Sequence, residues 1–240
     1  MPKDVYFMGS KVRISDQVEI VAAINSGATM RIATLNPEFM LEAEKNQSFR
    51  VALGQMTHCT VDGFGLYLAL GRRFARYTGA DLVNDLAIRY ADGSKRFFLL
   101  GGLGDEAILA AAELRRRFPG LTVVGAESGG AIADPNHPDS DLVARIKALQ
   151  PDILLVGFGA PKQELWIANA GGVATVMVGI GGSFGFYSTK QRAPGLFRRT
   201  GTEWLWRGLT EPGHWRRIWH AVVIFPLHAV TSNPKQHHGA

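Results

Sequence analysis

Asp62 leads into Gly63-Phe-Gly65 directly after the extended, apolar segment Met56–Val61. A carboxylate there fits two roles. It can form a turn, or it can act as a general base at the mouth of a sheet, taking a proton from an attacking hydroxyl. Gly157-Phe-Gly-Ala-Pro-Lys-Gln-Glu164 places Lys162, Gln163 and Glu164 in the first turn of a helix, with Pro161 near its start. Three polar residues where a buried strand opens into a helix are placed to read sugar hydroxyls or a diphosphate. The alternative is an ordinary solvated first turn. Gly101-Gly-Leu-Gly-Asp-Glu-Ala107 has some glycines of a nucleotide-binding loop but not the full dinucleotide spacing, and no Gly-Lys-Ser/Thr occurs in the chain. Gly101 and Gly102 therefore either admit a phosphate or sugar to the backbone or simply turn a strand into a helix.

Other polar groupings point away from metal or nucleophilic chemistry. Asp139-Ser-Asp141 has the spacing of a divalent-metal pair, but it lies between Pro138 and a helical pattern, where Asp and Ser act as N-caps. No obligatory metal and no cofactor are expected. The seven histidines show no zinc-ligand spacing. His58 and Cys59 are adjacent on an extended segment, so they point to opposite faces and cannot activate each other.

These residues need a scaffold, and the intervening pattern supplies one. Apolar runs at Arg31–Leu35, Phe97–Leu100, Leu121–Val124, Ile153–Val156 and Ala174–Ile180 read as buried strands. Helical patterns over Pro37–Gln47, Glu106–Phe118, Ser140–Leu149 and Lys162–Asn169 alternate with them. Strand–helix–strand alternation at this spacing predicts an α/β, Rossmann-like fold: a mostly parallel sheet with helices on both faces. Ligands of such sheets bind at the carboxyl ends of the strands, which is where Asp62 and the glycine corners fall.

The 240 residues are 46% hydrophobic and 20% charged, too apolar and too weakly charged for a disordered chain. One cysteine excludes a disulfide framework and leaves a reducing, cytoplasmic setting as the expectation. No apolar run reaches the ~18 residues of a spanning helix, and Met1–Ser10 lacks a signal-peptide core. From Thr189 onward, eight Lys/Arg stand against two Glu, so the net charge of +5 belongs wholly to this tail. Trp204, Trp206, Trp215 and Trp219 lie there too. The organisation read from this is an α/β catalytic domain over residues 1–188 and a basic, Trp-rich helical C-terminal appendage over residues 189–240. Trp215, Ile218, Trp219, Val222 and Val223 form one helical face, with Arg216, Arg217 and His220 on the other. That face either docks on the protein's own body or lies in a lipid interface. The clustered charge has no nucleic-acid motif beside it, so an anionic membrane surface or a phosphate-rich ligand is the expected partner, not nucleic acid.

Taken in order, several elements resemble the WecG/TagA/CpsF glycosyltransferase family from near Ile32 to about Arg217. They include Thr34-Leu-Asn36, Asp62-Gly63, Arg76-Tyr-Thr-Gly-Ala-Asp-Leu82, Phe98-Leu-Leu-Gly-Gly102, Gly157–Glu164, Gly179-Ile-Gly-Gly-Ser-Phe184, Arg192-Ala-Pro194 and Glu203-Trp-Leu-Trp-Arg207. The resemblance implies transfer of a sugar, with inversion and without a metal, from a UDP-sugar to a polyprenyl-diphosphate-linked monosaccharide in surface or exopolysaccharide synthesis. The enzyme would be peripheral on the inner membrane face. Asp62 takes the family's base position, Thr34, Asn36, Arg76 and Gln163 match pocket positions, and the appendage brings arginines to the diphosphate. Arg192, Arg207, Arg216 and Arg217 are the candidates for stabilising charge on a leaving diphosphate, or else they form a solvated basic face. Where the family usually has aspartate, this chain has Gly185. That change points to a plain hexose donor, with N-acetylmannosamine or its uronic acid as the alternative, or else to a non-catalytic nucleotide-sugar-binding subunit. Oligomeric state is not legible.

Overall fold

The computed structural model describes residues 3–7, 10–70 and 74–188, together with Pro194, Gly195, Phe197 and Trp206. The chain opens with an antiparallel pair, β1 (Lys3–Phe7) and β2 (Ser10–Ile14), in which Val5 faces Val12. Then follow α1 (Gln17–Asn25), β3 (Met30–Leu35), α2 (Pro37–Lys45), α3 (Gln47–Gly54), β4 (His58–Val61), α4 (Phe64–Ala69) and α5 (Gly79–Arg89). The second half runs β5 (Arg96–Gly101), α6 (Glu106–Arg117), β6 (Thr122–Glu127), α7 (Ser140–Ala148), β7 (Ile153–Gly157), α8 (Lys162–Asn169) and β8 (Val176–Gly179). A 3-10 turn (Gly181–Phe184) leads into the short α9 (Gly185–Ser188). The strands and helices expected between residues 31 and 180 are present, whereas the basic helical appendage expected over residues 189–240 lies outside the described residues but for Pro194, Gly195, Phe197 and Trp206.

The described residues form one eight-stranded sheet in the order β1-β2-β4-β3-β8-β7-β5-β6, parallel except for β1. The strand period of two divides the core into two layers. Leu154 and Val156 face α2, α3, α7 and α8, through Phe39, Phe49, Ile146 and Trp166. Ile153 and Leu155 face α1, α5, α6 and the turn after β8, through Ile20, Leu86, Leu114 and Phe184. Burial on both faces is why β7 reads as an unbroken apolar run. Each such side chain withdrawn from water contributes about 1.5–3 kcal/mol, so the strands hold their carboxyl ends in fixed register. Leu35 pairs with Val61, Ala33 and Val156 both pair with Gly179, and Gly101 pairs with Gly157.

Helix starts follow local chemistry. Asp16 and Glu19 form a reciprocal capping box on α1. Asp139 accepts from the N–H groups of Asp141 (2.8 Å) and Leu142 (2.9 Å) at the head of α7, the cap its spacing beside Pro138 suggested. Cys59 is buried in one core layer while His58 is only half-buried, as adjacent strand residues must be.

Candidate active site

Asp62 follows β4 at the carboxyl edge of the sheet. Its own N–H donates to the Leu35 carbonyl at 2.8 Å, tying it to the end of β3. Its half-buried side chain reaches across to α5, where Oδ2 accepts from the Gly79 N–H at 3.2 Å. A carboxylate on the first turn of a helix faces the positive end of the helix dipole, so the site is built for negative charge. Thr78 caps the same helix, accepting from the Asp81 N–H at 3.1 Å. Glycine is required at 79: a Cβ would lie 2.8 Å from the Ile180 carbonyl oxygen and 2.9 Å from Ser183 Oγ. The start of α5 therefore wedges between Asp62 and the corner after β8.

Asn36 and Arg76 lie on the backbone segments on either side of the β4 end that carries Asp62. Asn36 caps α2, its Oδ1 accepting from Glu38 N (2.9 Å) and Phe39 N (3.3 Å). That fixes the carboxamide and leaves its Nδ2 donors without a partner among the described residues. Asp62 and Asn36 are held together because Gly63 packs where a Cβ would clash with Pro37 Cδ. Arg76 is carried beside β4 by a bridge to Val61 and by a 2.8 Å bond from the Tyr77 N–H to the Val61 carbonyl. Arg76 thus supplies a cation on the segment next to Asp62.

Other sequence candidates occupy supporting positions. Thr34 is buried, and its hydroxyl donates to the Gly179 carbonyl at 2.8 Å, clipping β3 to β8. Lys162 is exposed on α8, but Gln163 and Glu164 point inward and are 1% and 0% exposed. The Gln163 Oε1 accepts from Gly159 N (3.2 Å) and Gly181 N (2.9 Å), and its Nε2 donates to Glu164 Oε1 at 2.6 Å. Burial pushes the Glu164 acid up to about 8. It also pushes the neighbouring Cys59 thiol up to about 12, with the Glu164 charge acting in the same direction. At Gly101 a Cβ would strike Gly157 at 2.8 Å, and the Gly102 N–H is spent on the Gly157 carbonyl at 3.0 Å. The next amide, Leu103, donates to the largely buried Glu106 carboxylate at 3.1 Å. The first two amides of this loop are thus committed within the protein, one to β7 and one to α6. Arg192, Arg207, Arg216 and Arg217 lie outside the described residues.

Reading the sequence overlooked the Gly79 N–H and the Ser183 corner. The cap pattern Thr78-x-x-Asp81 carried the signal for a helix beginning there. Among the described residues no group of three or more His, Cys, Asp or Glu side chains could hold a metal ion, and no helix is long and apolar enough to cross a membrane.

A mostly parallel α/β sheet with a carboxylate, a carboxamide presenting its NH2 group and an arginine at its carboxyl edge has the layout of an enzyme acting on a polar ligand at that edge. Residues 5–239 match the WecG/TagA/CpsF family of glycosyl transferases, and the chain belongs to that family. It is a glycosyltransferase, a hexosyltransferase by class. A protein of Staphylococcus aureus (strain NCTC 8325 / PS 47) is 32% identical over 215 residues, covering 86% of this chain and 81% of its own. One of Bacillus spizizenii (strain ATCC 23059 / NRRL B-14472 / W23) is 32% identical over 201 residues, covering 81% and 76%. Both are named N-acetylglucosaminyldiphosphoundecaprenol N-acetyl-beta-D-mannosaminyltransferase.

Proposed function

We propose that the protein transfers N-acetylmannosamine from its UDP-activated form to N-acetylglucosamine carried on a polyprenyl diphosphate. Transfer proceeds with inversion and without a metal. The acceptor hydroxyl gives its proton to the Asp62 carboxylate as its oxygen bonds to the anomeric carbon. The bond from that carbon to the diphosphate breaks, and the electron pair leaves with UDP. Removing the proton in concert contributes about 10²–10⁴-fold. Arg76, and Arg192, Arg207, Arg216 and Arg217 from outside the described residues, stabilise the charge on the departing diphosphate. Asn36 Nδ2 is placed to hold a sugar hydroxyl.

The observation that carries the reading is the Asp62 side chain, anchored on the start of α5 beside Asn36 in a member of this family. The names of the relatives favour N-acetylmannosamine over the plain hexose that Gly185 suggested. The test is a panel of UDP-sugars against a short-chain lipid-diphosphate N-acetylglucosamine, with Asp62→Asn beside the parent. Turnover with UDP-N-acetylmannosamine, lost in the variant, is expected. Turnover with UDP-glucose or UDP-galactose alone would overturn the donor assignment.

The basic appendage makes the enzyme peripheral on an anionic membrane, each Lys/Arg near the surface adding about 1 kcal/mol. Deleting residues from Gly213 onward is expected to release the protein from anionic liposomes and to weaken catalysis strongly. Full binding and activity in that truncation would refute the role of the tail.

A further inference from the structure

We propose that Glu164 is a positioning residue for the sugar-nucleotide donor, holding the Gln163 carboxamide in the one orientation that pins the loops after β7 and β8. This rests on the reading that the donor occupies the carboxyl edge of the sheet. A carboxamide can turn end for end, and only its partners decide which atom points where. On one side of Gln163 stand two donors, the N–H groups of Gly159 and Gly181, and both need an acceptor. On the other side stands Glu164 Oε1, an acceptor 2.6 Å from Nε2. Turning the amide would set NH2 against two N–H groups and oxygen against oxygen. Glu164 therefore selects the productive arrangement without touching the cleft.

The consequence spreads through contacts already described. Gly181 heads the turn whose Ile180 carbonyl and Ser183 hydroxyl press on Gly79, and the Gly79 N–H holds Asp62. Gly179 lies against the pair: a Cβ there would fall 2.7 Å from Gln163 Nε2 and 2.8 Å from Glu164 Oε1. Thr34 is bonded to the carbonyl of that glycine, so β3 and its Asn36 are tied in as well. Each link is a packed contact, and none requires motion to be transmitted.

The arrangement depends on proton occupancy. Glu164 is fully buried, and its Oε2 has no partner among the described residues. No base faces it. From β4 comes the Cys59 thiol, itself held neutral by burial. β7 and β8 carry no ionisable side chains. On α3, Arg50 donates to the Ala43 and Glu44 carbonyls, and on β3 Arg31 bonds Gln55. On its own helix, Lys162 is exposed. With its acid pushed up to about 8, Glu164 is protonated at neutral pH and becomes an uncompensated buried anion above that range.

Two measurements test this, one of them independent of turnover. Donor KM and kcat are followed from about pH 6 to about pH 9.5 for the parent, Glu164→Gln and Glu164→Leu. In parallel, amide exchange at Gly159 and Gly181 is measured without substrate. Glu164→Leu removes the acceptor and should raise donor KM roughly tenfold and speed Gly181 exchange by a similar factor. Glu164→Gln restores the acceptor in permanently neutral form. It should recover most of the donor affinity and lose the rise in KM that the parent shows above about pH 8. Parental KM and exchange in folded Glu164→Leu would overturn the proposal, as would an unchanged alkaline rise in Glu164→Gln. Should Glu164→Leu fail to fold, the Glu164→Gln profile and exchange rates decide. Should no UDP-sugar turn over, the donor reading fails, and the exchange rates alone still decide the role of Glu164.

Discussion

The two ends of the carboxyl edge use similar residues for opposite purposes. Around β3 and β4, Asp62, Asn36 and Arg76 are half-buried and keep polar groups near the surface. Around β7 and β8, Gln163 and Glu164 are sealed in the interior and spend their polarity on the protein's own amides. In both places a polar residue follows a buried strand, so sequence position alone does not separate chemistry from support. The difference lies in what the following helix does. After β4 the chain passes Asp62 before α4 begins, and the carboxylate reaches sideways to α5. After β7 the polar residues are already in the helix, and α8 turns them under the sheet edge.

Asp62→Asn is the strongest test of this division. The amide is isosteric, and its oxygen can still accept from Gly79 N, so the fold should hold. We expect kcat to fall about 10²–10⁴-fold with an unchanged melting temperature. A loss below tenfold would move the base elsewhere and dissolve the contrast between the two ends.

Glycine substitutions sharpen it next. Gly79→Ala and Gly179→Ala each insert a methyl into contacts of 2.7–2.9 Å, and overpacking of this kind costs about 1–3 kcal/mol. The kinetic effects should differ. Gly79→Ala disturbs the amide that holds Asp62, so its loss should fall on kcat. Gly179→Ala presses on the Gln163–Glu164 pair, so its loss should fall on donor KM. Equal effects on both parameters in both variants would show that the edge responds as one unit.

Legibility in the sequence followed the same physics. β5 and β7 were readable because burial on both faces leaves no polar interruption. The β1–β2 pair and α1 were not picked out, though Asp16 and Glu19 formed a capping box that marks the start of α1. α5 has a cap signal in Thr78 and Asp81, but the short segment Gly79–Arg89 has charged residues interrupting its apolar positions and lacks a clear boundary. Asp62 was legible as a candidate, but its anchor was not, since Gly79 is 17 residues away in sequence. The inward turn of Gln163 and Glu164 could not be read at all. Periodicity places residues on a helix face, but the crossover geometry decides which face meets the sheet.

Stability against pH gives a smaller effect on the supporting end. The Glu164 acid rises from an ordinary 4.5 to about 8 on folding. The folded state therefore binds this proton more tightly than the unfolded chain does. Its contribution to stability is complete below about 4.5, declines as pH rises toward about 8, and changes no further above that. Glu164→Gln has no proton to lose. The melting temperature of the variant relative to the parent should climb across that window and then level off, measured by calorimetry at low salt. A constant difference would mean that the acid is not neutral in the fold.

Asp139→Ala should have the least effect, and it separates the two roles an Asp-x-Asp spacing could have. Removing the N-cap of α7 takes the acceptor from two helix N–H groups and costs about 1 kcal/mol. The Asp141 side chain and the sheet edge are untouched, so turnover with the preferred donor should stay within twofold of the parent. The same rate should persist in a chelator, because the Asp139 carboxylate is spent on backbone N–H groups of the helix. A collapse of activity in Asp139→Ala, rescued by added divalent ion, would instead make this pair a metal site and shift the diphosphate chemistry to the loop after β6.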